Sequence, residues 1–102
     1  MRVTSKIIKF KLISGSMFNY SALVNISIGE GFDDFSFIVR HKGCLIECKL
    51  YPPLSPEDFF DFNVDIKKNL GILSSNKSIY NMILSSVTSE AQNFYKELTS
   101  KV

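Results

Sequence analysis

Three groups of residues in this sequence have the types and spacing to do chemistry. The first is acidic. Glu57, Asp58, Asp61 and Asp65 are interleaved with Phe59, Phe60, Phe62 and Val64. At about 100° per residue the four carboxylates share one sector of a helix, and such a face offers negative charge to a basic partner. On a wet surface nothing pushes their pKa values apart, so they do not read as a catalytic acid and base. The second group is basic: Lys9 and Lys11 in one segment, Arg40 and Lys42 in another. Outward lysines on a sheet can track a phosphate backbone. The third group is His41 with Cys44 and Cys48. His41 is the single histidine of the chain, so a four-ligand zinc site would have to borrow carboxylates. Four extended residues span roughly 13 Å, too far for a Cys44–Cys48 disulfide, and both read as reduced thiols of a cytosolic protein. Neither cysteine sits where a thiolate would be activated. In a short turn the His41 side chain is expected in solvent, with no nucleophile beside it. Gly29-Glu30-Gly31 lacks the lysine and the following helix of a phosphate loop. No catalytic group, metal or cofactor is expected.

The elements that must carry these groups can be read from hydrophobic periodicity. A first strand is expected over about 3–13, with Ile8, Phe10 and Leu12 alternating against Lys9 and Lys11. Ser14-Gly15-Ser16 is a turn. A second strand, about 18–28, puts Tyr20, Ala22, Val24, Ile26 and Ile28 on one face, and Gly29-Glu30-Gly31 ends it. A third, about 32–40, sets Phe35, Phe37 and Val39 against Ser36, Ile38 and Arg40. His41-Lys42-Gly43 is a tight connection in which Gly43 takes a positive φ. A fourth strand, about 44–51, turns Cys44, Ile46, Cys48 and Leu50 inward and Glu47 and Lys49 outward. Short turns between four alternating strands predict an antiparallel meander.

Pro52 and Pro53 close the sheet, because proline cannot donate to a ladder. Ser55 then caps a helix expected over about 56–70. Pro56 suits its first position, Glu57 and Asp58 suit the positive end of the dipole, and Lys67, Lys68 and Gly71 mark its end. The interior disagrees with the ends: Phe60, Phe62, Val64 and Ile66 alternate with Asp61, Asn63 and Asp65 as in a strand. As a helix, the segment buries Phe59, Phe62, Ile66 and Leu70. Phe60 and Val64 lie at the margin of that stripe. Under the C-terminal helix they are core; on the surface they anchor a contact beside the acids. The last helix, about 77–100, presents Tyr80, Leu84, Val87, Ala91, Phe94 and Leu98 to the core, and the Ser85–Ser89 run is a place where it could divide.

The expected architecture is therefore a single α+β domain over residues 1–102: a four-stranded antiparallel meander with two or three helices packed on one face. Its size allows a real core without metals or disulfides. The net charge of +2 implies no bulk affinity for nucleic acid, and the aromatic content of 13% argues against disorder. Residues 1–50 carry seven basic and four acidic side chains, residues 51–102 five and six. A mildly basic sheet thus faces a mildly acidic helical half. No apolar run is long enough for a membrane span, nor is the N-terminus a signal peptide. The Ile-, Lys-, Asn- and Ser-rich composition suits a low-GC bacterium or its phage.

The function expected from these residues is a small, non-catalytic protein-binding module, such as an inhibitor that occludes a basic surface of a nucleic-acid-handling protein. Its contact set is Glu57, Asp58, Phe60, Asp61, Val64 and Asp65. The alternative is a nucleic-acid-binding domain using Lys9, Lys11, Arg40 and Lys42. Pairing of edge strands leaves a homodimer open.

Overall fold

A computed structural model describes residues 2–13, 15–29, 31–43, 45–62, 64–69 and 76–100. Four strands come first, β1 (Val3–Ile13), β2 (Ser16–Ile28), β3 (Gly31–Lys42) and β4 (Leu45–Leu50). Three helices follow, α1 (Pro56–Phe62), α2 (Val64–Asn69) and α3 (Asn76–Ser100). The strands form one antiparallel sheet in the order β1-β2-β3-β4, and the helices cover one of its faces. This is the α+β meander that the alternation predicts.

The period of two holds through the central strands. Tyr20, Ala22, Val24, Ile26 and Ile28 of β2 and Phe37 and Val39 of β3 are all buried on the helix-facing side. Ile46, Cys48 and Leu50 of β4 lie on the same face, with Cys48 opposite Val39 and Leu50 opposite Phe37. Cys44 lies outside the described residues. Gly29 and Gly43 stand at the β2–β3 and β3–β4 turns with φ of 60° and 62°, the left-handed values that tight hairpins need and side chains resist.

β1 departs from simple alternation. Its register against β2 shifts between Ile7 and Lys9, the mark of a bulge, which adds one residue and reverses parity. Val3, Ser5 and Ile7 pair with Ile28, Ile26 and Val24, and beyond the bulge Phe10 and Leu12 pair with Ala22 and Tyr20. Both sets therefore share the inner face. Ile8, expected inward with Phe10 and Leu12, is the extra residue and is 46% exposed.

α3 runs along the inner face. Twenty-five residues at 1.5 Å each make a helix of about 38 Å, most of the molecule's 45 Å length. Its buried residues are Ile79, Ile83, Val87 and Ala91. Tyr80, Leu84 and Phe94 flank them, partly buried, so the stripe is centred one residue earlier than the sequence suggests. The Ser85–Ser89 run does not divide the helix. Thr88 Oγ1 donates to the Leu84 carbonyl at 2.8 Å, returning its polar group to the helix backbone. Ser86 Oγ lies 2.6 Å from Ser5 Oγ on β1, so that hydroxyl is also satisfied.

The segment expected as a helix over about 56–70 is helical at every described residue from Pro56 to Asn69. α1 ends at Phe62 and α2 starts at Val64. Asn63, between the two, lies outside the described residues. The buried side chains differ from the expected stripe. Phe59, Phe60 and Ile66 are core, while Phe62 is 83% exposed. Leu70 and Gly71 lie outside the described residues.

Candidate functional site

α1 is set by its first residues. Ser55 Oγ donates to Asp58 Oδ2 at 2.8 Å and accepts the Asp58 N–H at 3.2 Å, while the Phe59 N–H donates to the Ser55 carbonyl at 2.9 Å. Ser55 is thus the N-cap of the helix, its hydroxyl held in turn by the Asp58 carboxylate. It fixes where the helix starts, and therefore sends Phe59 and Phe60 inward and leaves Glu57, Asp58 and Asp61 exposed. Phe59 packs on Phe35 of β3 with ring centroids 4.8 Å apart, on Phe60 at 5.1 Å and on Tyr80 of α3 at 5.6 Å. Tyr80 in turn donates its hydroxyl to the Leu54 carbonyl at 3.1 Å. The approach to α1 is thus tied to both the sheet and α3.

Of the predicted contact set, Glu57, Asp58 and Asp61 form the expected acidic surface. Asp61 lies 3.6 Å from Lys67 of α2, an exposed pair worth little. Phe60 must be taken off the contact surface. It is fully buried and belongs to the core, because the Ser55 N-cap starts the helix in a phase that turns it inward. The side chains of Val64 and Asp65 lie outside the described residues.

The aromatic surface the sequence places at Phe60 is found at Phe62. It forms the lip of a groove of about 320 Å³ lined by Asp33, Asp34, Tyr51, Leu54, Phe59 and Phe62 among others. Tyr51 is 62% exposed. Strand lengths explain why the groove exists. β3 pairs with β2 from Gly31 onward, but β4 reaches only to Leu50, opposite Phe37. One further bond, Tyr51 N–H to the Ser36 carbonyl at 2.9 Å, closes the ladder before the chain turns through Pro52 and Pro53. The stretch of β3 from Gly31 to Asp34 has no strand on its β4 side among the described residues. Two aspartates stand there. The Asp34 N–H donates to Asp33 Oδ1 at 2.7 Å, and Asn25 Nδ2 donates to Asp34 Oδ1 at 2.9 Å. Sequence reasoning missed Asp33, Asp34, Tyr51 and Phe62. Counting residues outward from the β3–β4 turn would have shown that β4 is too short to cover them.

The basic set divides. Lys9, Lys11 and Arg40 are exposed on the outer sheet face, which no helix among the described residues covers. Lys42 is engaged with Glu47 Oε2 at 2.9 Å, and Lys49 with Oε1 of the same carboxylate at 2.9 Å. Hydrogen bonds from Lys49 and Lys42, with their charges, hold the Glu47 carboxyl down at about 2. The large aromatic side chain beside the lysines, Phe10, points to the other face, against Phe94 at 4.8 Å and Tyr20 at 6.1 Å.

His41 is not in solvent as the turn reading expects. β3 continues to Lys42, so His41 keeps the parity of Phe37 and Val39 and turns inward. Its ring packs against Tyr95 at 4.8 Å, Tyr20 at 5.8 Å and Phe18 at 6.4 Å. Burial lowers its pKa from 6.5. Its Nε2 and the Tyr20 hydroxyl, both buried, have no hydrogen-bond partner among the described residues. Cys48 is a free, half-buried thiol whose pKa burial raises, the reverse of what a nucleophile needs. Among the described residues no three His, Cys, Asp or Glu side chains are grouped to hold a metal ion, and no helix is long and apolar enough to cross a membrane. No protein-family model, curated protein or solved structure matches this chain.

Proposed function

We propose that this chain is a non-catalytic protein-binding module that inhibits a larger, nucleic-acid-handling protein by occluding a basic surface. The observation that carries this reading is the exposed Phe62 at the lip of a groove lined by Asp33 and Asp34, next to Glu57 and Asp61. A bare aromatic among carboxylates is costly to leave in water and has the character of an interface anchor. Carboxylates around it favour a basic partner and speed its encounter. The setting that fits is a cytosol, where Cys48 stays reduced.

Affinity capture from the native host tests the reading. The native chain should retain a protein partner that elutes with salt. Phe62→Ala combined with Glu57→Gln and Asp61→Asn should lose it while remaining folded. Retention of the same partner by that variant places the contact elsewhere.

A second reading is supported by the uncovered outer face, where Lys9, Lys11 and Arg40 stand in solvent without a carboxylate partner among the described residues. That arrangement suits a single-stranded nucleic acid. A gel-shift titration at two salt concentrations separates the readings, because phosphate contacts weaken steeply with salt. The absence of a shift at micromolar protein removes the second reading. Light scattering after size exclusion reports on a homodimer.

A further inference from the structure

The outer face of the sheet is laid out in rows that the strand registers fix. Lys9, Leu23 and Ser36 lie side by side across β1, β2 and β3, and the Tyr51 N–H on the Ser36 carbonyl adds Tyr51 to that row. Lys11, Ser21, Ile38 and Lys49 make the next row. Three strand spacings put the ends of a row about 14 Å apart, and neighbouring rows are about 7 Å apart. On the floor Leu23 and Ile38, both half-buried, alternate with Ser21 and Ser36. Lys9 and Lys11 close one end of the rows and Tyr51 and Lys49 the other, all four exposed. Two recesses lie along them. One of about 320 Å³ is bounded by Lys9, Lys11, Ser21, Leu23 and Ser36 among others. One of about 90 Å³ is bounded by Tyr51, Arg40, Ile38 and Lys49 among others.

We propose that these rows bind a short stretch of single-stranded nucleic acid laid across the strands, with its phosphates on Lys9 and Lys11 and an unstacked base on the ring of Tyr51. Charge selects an anionic occupant. The strand positions of this face carry Lys6, Lys9, Lys11, Arg40, Lys42 and Lys49 against the carboxylates of Asp34 and Glu47, and Glu47 is already held between Lys42 and Lys49. Positive charge is therefore concentrated here in a chain whose net charge is only +2. Tyr51 supplies what lysines alone lack. Its ring is 62% exposed and stands across the sheet from Lys9, whereas Phe10, beside the lysines in sequence, packs on Phe94 at the other face. Phosphates tracked by cations and bases stacked on aromatic rings are the two components of single-strand binding. The floor disfavours two other anions. A duplex keeps its bases stacked on one another and offers Tyr51 nothing. An acidic amphipathic helix needs an apolar groove beneath it, and here Ser21 and Ser36 interrupt Leu23 and Ile38. This inference rests on the second reading above and adds the type of strand, its path and the residue that stacks on a base.

The test titrates the full chain with an oligothymidylate of about a dozen nucleotides, an oligouridylate of the same length, a DNA hairpin of equal charge and a glutamate peptide of equal charge. At least one single strand should bind at micromolar protein, about tenfold or more tightly than the hairpin or the peptide. In NMR spectra it should shift the amides of Lys9, Ser21, Ser36 and Tyr51. Lys9→Ala with Lys11→Ala should reduce the slope of log affinity against log salt by about 1.4. Tyr51→Leu, which keeps an apolar side chain but removes the ring, should weaken binding about tenfold and leave the salt slope as it is. All three substitutions are at exposed positions, and circular dichroism checks that the variants fold. If the hairpin binds as tightly as the single strands, or Tyr51→Leu binds like the native chain, the stacking site falls while the nucleic-acid reading stands. Equal binding of the glutamate peptide overturns the inference in favour of an acidic protein. If neither single strand nor the hairpin binds at micromolar protein, the second reading falls and this inference falls with it.

Discussion

The exchange of roles between Phe60 and Phe62 is the finding on which the site depends, and a pair of substitutions measures it. Phe60 is fully buried, with its ring edge-on to Phe59 at 5.1 Å. Truncation to alanine removes most of a buried aromatic and leaves a cavity, a change that costs about 3–5 kcal/mol in cores. The whole domain is held by ~5–15 kcal/mol, so Phe60→Ala is expected to sit close to unfolding. Phe60→Leu, which keeps most of the volume, should cost about 1–1.5 kcal/mol. Phe62 is 83% exposed, and Phe62→Ala should stay within about 0.5 kcal/mol of the native chain. In a domain of this size each kcal/mol moves Tm by about 4–8 °C. Phe60→Leu should therefore melt several degrees lower, and Phe62→Ala within about 4 °C of the native protein. Urea titration followed by circular dichroism gives the free energies, and the same samples serve for partner capture. Phe60→Leu should retain the partner and Phe62→Ala should lose it. Equal destabilisation by Phe62→Ala and Phe60→Leu would refute the assignment of Phe62 to the surface and, with it, the anchor of the proposed contact.

Three further outcomes follow from local geometry. Ser55→Ala removes the α1 N-cap and its bond to the Asp58 carboxylate and should cost about 1 kcal/mol by urea titration, with Ser55→Asp close to native. Glu47 has its pKa lowered from 4.5 to about 2 by Lys49 and Lys42, so its stabilising effect is complete above 4.5 and fades as pH falls from 4.5 toward 2. Carboxyl-detected NMR titration should find its midpoint near the lower value, and Glu47→Gln should flatten the acid limb of the stability curve in that window. His41 has its pKa lowered below 6.5 by burial, so the neutral ring is the form the fold prefers and stability should fall as pH drops below 6.5. Denaturation of His41→Gln across pH 5–8 should lack that slope, and an unchanged slope would show that another group causes it.

Much of the fold is legible in the sequence because a half-buried strand must alternate. The inward faces of β2, β3 and β4 could be assigned residue by residue from Tyr20 to Leu50, and glycine marks the β2–β3 and β3–β4 turns where a left-handed φ is required. Ser55, Pro56 and the two following acids likewise announce the start of α1. The errors have a common cause. Alternation gives parity within a strand, but a bulge at Ile8 or the continuation of β3 through His41 changes which residues the parity applies to, and both depend on the pairing partner. Alternation through 60–66 misled as well, since the described residues of this segment are helical and a helix has no period of two.

The candidate site divides along the same line. Its acids, Glu57, Asp58 and Asp61, were visible as a cluster, because charge is a local property of the chain. The apolar part was not, because whether Phe60 or Phe62 meets water depends on the phase of α1 against β3 and α3, set by packing of Phe59 on Phe35 and Tyr80. Asp33 and Asp34, far from α1 in sequence, join the site because β4 stops opposite Phe37 and the groove reaches the part of β3 beyond it. The sequence by itself determined the α+β class, the inner face of the sheet and the acidic character of α1, all of which follow from periodicity and composition. Tertiary structure alone decided which phenylalanine is exposed and which part of β3 lines the groove, since both follow from how elements of unequal length fit against one another.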